Sequence, residues 1–352
     1  MIVYGAMAAI TVFCYLIASL HPRLREKKNS IATVVFFVIY LTLLCLRDYD
    51  VGVDTVHYVQ LFNNIQFLNW DNLANSGVEL GFVYLARIVG IFGDVRFFIV
   101  VVSLLTVIPL MVLYTKESED ALLCCSFFFI SLLFEMLFSG MRQGIAISLT
   151  VPAYFFTKHK QLLPFVATVA LATLFHSSGI LIALLYPLYH AKITRKWLWF
   201  VLPAMIAVYL TRDQLFSYIL PLAGDDYSYN YSELTGSSGQ VGLMTLFILI
   251  CVYCYIMLDE RKADAETIGL RNILLLATAI QLFAPLNPVV SRLNYYFILF
   301  IPLALARVNT RCYDKLLVVQ RLSRIVLPTF FLAYFFLAKA DSLNVFNYSF
   351  FF

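Results

Sequence analysis

Charge is what this sequence has least of. Only 13% of its 352 residues are Asp, Glu, Lys or Arg, against 62% hydrophobic ones, and mean hydropathy is +0.84. That balance excludes a soluble globule and reads as an all-α integral membrane protein. No polar interval is long enough to bury a core of its own, which excludes a separate soluble domain, so residues 1–352 read as a single polytopic membrane domain. No concentrated basic patch exists either; the net charge of +4 is spread over short loops, which argues against a nucleic-acid partner. Internal repeats and low-complexity linkers are absent. The seven cysteines lie mostly within apolar runs, and Cys251 and Cys254, though at redox-motif spacing, read as packing residues. The first apolar run, residues 2–20, has no basic segment before it and no small-residue cleavage site after it, so it reads as a retained helix.

What is present is a series of apolar runs with basic flanks. Short loops rich in Lys and Arg stay on the cytoplasmic side. Arg23, Arg25, Lys27 and Lys28 put the end of the first helix inside, and residues 31–46 then lead outward. Residues 79–92, ELGFVYLARIVGIF, would span roughly 21 Å as a helix, short of the ~30 Å hydrocarbon core, and are expected to be re-entrant or interfacial. The remaining runs, among them 97–114, 121–138, 144–157, 162–175 and 179–189, bring the expectation to about twelve transmembrane helices. Of the 25 Lys and Arg residues, eighteen then fall inside and seven outside. The expected outer loops are about residues 47–96 and 211–240.

The polar stretch at residues 47–58, RDYDVGVDTVHY, cannot pass through lipid. With Arg47, Asp48, Asp50, Asp54 and His57 around Gly52 it reads as a site candidate on the outer side. Arg142, His176 and Arg292 stand at the ends of short apolar runs that would sink below the bilayer surface. Arginines at that depth are costly unless paired or facing water, so an outward-opening hydrated cavity lined by Arg47, Arg142 and Arg292 is expected. Such guanidinium forks suit a phosphate or pyrophosphate; the plain alternative is interfacial anchors paired with Asp48, Asp50, Asp54, Glu79 or Glu135. His176 could take a proton from a sugar hydroxyl, or simply be a hydrogen-bonded turn residue, and Asp54 or Glu79 could act as the base instead. Tyr58, Tyr227 and Tyr229 could stack against sugars or belong to an interfacial aromatic belt. Asp48 and Asp50 lack a third ligand type, and no metal is expected.

In order, spacing and sidedness, the stretch RDYDVGVDTVHY, ELGF from Glu79, MRQGIA from Met141, FHSSGI from Phe175 and SRLNYY from Ser291 resemble the EpsG family of Wzy-type polysaccharide polymerases. Val53 departs from the pattern, where threonine is common. The resemblance implies a fold like the metal-independent C-type glycosyltransferases, without a cofactor. It implies transfer of a glycan from one undecaprenyl pyrophosphate carrier to the non-reducing end of another lipid-linked repeat unit, at the outer face of a bacterial inner membrane. Pyrophosphate would bind to Arg47, Arg142 and Arg292, His176 would be the base, and Asp54 or Glu79 would orient or replace it. The product could be O-antigen, capsule or exopolysaccharide, and a chain-length regulator is an admissible partner. A flippase for a lipid-linked oligosaccharide and a ligase-like transferase are the competing readings. Charges gathered on one side favour an enzyme over a carrier, which would need sites reachable from both faces.

Overall fold

The computed structural model describes residues 1–211, 214–215, 238–285 and 288–352. Two compact units divide them: Met1–Tyr186 with Ser323–Phe352, and Pro187–Leu322. Among the described residues the regular structure is helical, with isolated bridges but no strands.

The first unit begins with α1 (Ile2–Leu20) and α2 (Lys28–Leu46), packed against each other, with α2 also against α5 (Val95–Glu117). Tyr4, Phe36, Tyr40, Phe128, Phe134 and Phe335 interlock, mostly edge to face, in the buried centre, with ring centroids 5.2 to 6.3 Å apart across this cluster. Between α2 and α5 lie α3 (Thr55–Phe67) and α4 (Leu80–Phe92). These two share a core of Tyr58, Phe62, Ile65, Phe82, Val83 and Val89. Outside that core α3 exposes a mixed face, Val56, His57, Gln60, Asn63, Asn64 and Phe67, whereas α4 exposes an apolar one, Leu80, Tyr84, Ile88, Ile91 and Phe92.

Five described helical segments are long and apolar enough to cross a membrane: Ile2–Leu20, Arg25–Leu46, Val95–Glu117, Gln240–Met257 and Asp314–Leu337. A sixth would be the bent pair α6 (Ala121–Ile130) and α7 (Leu132–Ser139). The sequence suggests one straight helix there, but the axis turns by 62° at Ser131. Ser131 is extended (ψ 144), and its hydroxyl donates back to the Phe128 carbonyl at 2.7 Å. Lys339 supplies the broken end with donors, its Nζ reaching the carbonyls of Phe129 (2.9 Å) and Ser131 (3.2 Å) and the carboxylate of Glu135 (2.7 Å). Helix ends leave such carbonyls unpaired, and in a dry interior they need a partner.

Two further runs also differ from single helices. The run expected at 144–157 starts earlier and divides into α8 (Met141–Ser148) and α9 (Thr150–Lys158). After α10 (Leu162–Phe175), residues Ser177–Leu184 form a 3-10 helix before the six-residue α11 (Leu185–His190).

The second unit contains α12 (Leu198–Leu210), α13 (Ser238–Met257), α14 (Ala265–Gln281), α15 (Pro288–Ile298) and α16 (Ile301–Thr310). One end is laced by ion pairs: Arg261 with Asp259, Arg271 with Glu260, Arg307 with Glu266 and Arg311 with Asp264. Inside, the Asn294 amide donates to Ala277 O (2.8 Å) and Gln281 Oε1 (3.0 Å), tying α15 to α14. The last helix, α17 (Leu317–Leu337), runs into the tail of the first unit.

Candidate active site

The tail lies along the polar stretch that follows α2. Asp48 N donates to Ser349 O, Phe351 N to Leu46 O, Gly52 N to Asn344 O and Val53 N to Leu343 O, at 3.0 to 3.2 Å. Ser349 Oγ also bonds Asp50 Oδ1 at 2.9 Å. On its other side the stretch meets the end of α7. Gly52 has φ +88, and a Cβ there would sit 2.5 Å from Phe138 O, so only glycine fits this turn. Thr55 Oγ1 bonds the same carbonyl, and Ser139 Oγ donates to Asp54 Oδ2 at 2.8 Å. Asp54, exposed at the start of α3, is thereby fastened to the turn that leads into α8.

Arg142 stands in the first turn of α8, Glu79 just before α4, and His176 at the end of α10. Close packing brings the last two together: a Cβ on Gly81 would lie 2.8 Å from Leu174 O, so α4 and α10 touch backbone to backbone. Glu79 then bridges its partners, accepting from Arg142 Nη1 at 2.5 Å through Oε2 and meeting His176 Nδ1 at 2.8 Å through Oε1. All three side chains keep some solvent exposure, 20% for Glu79, 24% for His176 and 28% for Arg142. Burial alone would raise the Glu79 carboxyl pKa, but the hydrogen bonds from His176 and from its own backbone, with the Arg142 charge, hold it down at about 2. Glu79 is therefore a fixed anion. Anchored through Nδ1, His176 leaves Nε2 with no partner among the described residues. A carboxylate behind an imidazole whose outer nitrogen is free is the arrangement a general base needs.

Two residues of the expected cavity are enclosed instead. Arg47, expected to face water, is 1% exposed, and its Nη1 donates at 2.6 Å to Leu44 O at the end of α2. Burial pulls its pKa down to about 10, still far above neutral, so the cation serves the helix's C-terminal carbonyls. Tyr58, expected to offer its ring to a sugar, is buried between Phe82 and Arg142, whose guanidinium carbon is 6.0 Å from the ring centroid. Arg292 is exposed on α15 in the second unit. Tyr227 and Tyr229 lie outside the described residues.

Sequence reasoning missed Ser139, Lys339 and the tail. A carboxylate within an apolar run, Glu135, was the available signal, and its partner is Lys339 rather than an arginine.

The EpsG family model matches residues 30–350, a span that holds every residue of this site. The chain belongs to the EpsG family. EpsG proteins form a Wzy-like polysaccharide polymerase family. No curated protein and no solved structure matches the chain. As an EpsG protein with several long apolar helices, it is a multi-pass membrane protein. Four of the five segments that carry the EpsG resemblance, those holding residues 47–58, Glu79, Arg142 and His176, lie in the first unit, and the fifth, from Ser291, lies in the second.

Proposed function

We propose that this protein polymerises a polysaccharide by moving a glycan from one undecaprenyl pyrophosphate carrier to the non-reducing end of another lipid-linked repeat unit. On this reading the reaction takes place at the outer face of the inner membrane, in a domain that crosses about twelve times in a C-type manner. The observation that carries the reading is the single carboxylate of Glu79 holding both a histidine and an arginine at hydrogen-bond distance.

In the proposed step His176 keeps its proton on Nδ1, shared with Glu79, and Nε2 takes the proton of the acceptor hydroxyl. That oxygen attacks the anomeric carbon of the donor glycan, the bond from this carbon to the pyrophosphate oxygen breaks, and the bonding electrons leave with the pyrophosphate. Its growing charge meets Arg142, whose Nε is buried but whose Nη donors not taken by Glu79 or Tyr58 can face the leaving group. Charge that develops only as the bond breaks is stabilised more in the transition state than in the ground state. Asp54, exposed and held by Ser139, is the alternative proton acceptor. The role expected of Arg292 rests on the family pattern alone.

The test is purified protein in vesicles with a lipid-linked repeat unit and no other enzyme. A ladder of products lost on His176→Gln supports the reading. Movement of the lipid across the vesicle wall without a ladder would favour a carrier and remove it.

A further inference from the structure

The segment that joins α3 to α4 is rich in one kind of polar group. Between Gln60 and Val78 the only charged residue is Asp71, whereas five are asparagines: Asn63, Asn64, Asn69, Asn72 and Asn75. All five are exposed, and their side-chain amides have no hydrogen-bond partner among the described residues. A surface that only has to meet water ordinarily carries Lys, Arg, Glu and Asp. An amide offers two donors and an acceptor without charge, which matches a sugar hydroxyl, itself both donor and acceptor.

The asparagines are also ordered in space. Residues Trp70–Asn75 form a 3-10 helix, in which side chains three apart eclipse one another, so Asn69, Asn72 and Asn75 follow one edge. The adjoining edge carries Trp70 and Leu73. Leu73 is buried in the core that α3 and α4 share, which pins the turn in place. Trp70 lies on α4, its ring centroid 6.5 Å from that of Tyr84 with the planes 24° apart, and the Arg87 guanidinium carbon 5.4 Å away. Tyr84 and Arg87 stand one helical turn apart and back the indole from the same helix, while Trp70 keeps 48% of its surface exposed. Arg87 is held in turn by donating to Gln66 O, so the ring is fixed before any ligand arrives. This platform adjoins the apolar outer face of α4, and four residues, at most about 14 Å, separate Asn75 from Glu79.

We propose that Trp70 and the asparagine edge bind the glycan of the lipid-linked substrate. The open face of the indole packs against the C–H face of one sugar ring, and Asn69, Asn72 and Asn75 exchange hydrogen bonds with its hydroxyls and those of its neighbour. A rigid aromatic flanked by adaptable amides recognises shape and hydroxyl pattern without charge. The inference rests on the reading that this chain handles a lipid-linked glycan, and adds where that glycan lies.

The test uses full-length protein in detergent and, as probe, the surface polysaccharide of the source organism cut to a few repeat units and labelled with a fluorophore at its reducing end. Anisotropy should show saturable binding to the wild type. Trp70→Ala should weaken it about tenfold, and Trp70→Phe, which keeps a ring on Tyr84, should recover most of that loss. Asn69→Ala/Asn72→Ala removes two exposed amides that hold nothing in the protein, so it should melt with the wild type and bind about fivefold more weakly. No binding by the wild type, or wild-type binding by both Trp70→Ala and the asparagine pair, would overturn the proposal. The ladder assay judges the underlying reading separately. A ladder with wild-type binding in these variants removes the platform alone, and Trp70-dependent binding without a ladder removes the polymerase and keeps the platform.

Discussion

Replacing Lys339 with methionine removes the cation that sits in the break between α6 and α7. Its side chain is 7% exposed and that of Glu135 is 1% exposed, so the pair is buried. Among the described residues, removing one partner leaves Glu135 with only the Ser342 hydroxyl at 2.9 Å, and deprives the carbonyls of Phe129 and Ser131 of a donor. Breaking a buried ion pair costs about 3–5 kcal/mol, because the surviving charge has lost its compensation. Against a total stability of about 5–15 kcal/mol this is large, and at roughly 2–4 °C per kcal/mol it lowers the melting temperature on the order of 10 °C. The double variant Glu135→Leu/Lys339→Met removes both charges at similar volume and should recover much of the loss. Thermal melts of detergent-purified protein, followed by the fraction that remains monodisperse, give both values. A single variant that melts within about a degree of wild type would refute the role assigned to the pair.

Gly52→Ala should destabilise the protein by more than about 1 kcal/mol, since its φ is +88 and Phe138 O occupies the Cβ position; a melt measures it. Ser139→Ala removes the hydroxyl that holds Asp54 and should lower polymerisation about fivefold, roughly 1 kcal/mol, with expression unchanged. The Glu79 carboxyl, held at about 2 from an ordinary 4.5, adds stability that is complete above pH 4.5 and is lost as pH falls through 2. The melting difference between wild type and Glu79→Gln should therefore be flat above about pH 4.5 and shrink below it; a change confined to pH 5–7 would point to another group.

The long apolar helices were readable because twenty-odd apolar residues leave few alternatives in a chain this poor in charge. The bend at Ser131 was not, because the group that makes it tolerable, Lys339, lies more than two hundred positions away and enters only through the folded tail. Arg47 was misjudged for a related reason. An arginine just after an apolar helix looks the same in sequence whether it faces water or turns back onto that helix's carbonyls, and here it turns back. Glu79, Arg142 and His176 were each legible as polar residues at the edges of short apolar runs. Glu79 was among the carboxylates expected to orient His176 or to pair with an arginine, but the sequence left Asp54 equally open, since the choice depends on Gly81 letting α4 meet the end of α10.

The central claim is that Glu79 and His176 act as one unit, and a double-mutant cycle on the rate of polymer formation tests it most directly. Each single change, Glu79→Gln and His176→Gln, should cost at least about a hundredfold, and the pair together should cost little more than the worse single change. Rate losses that multiply independently would contradict the account.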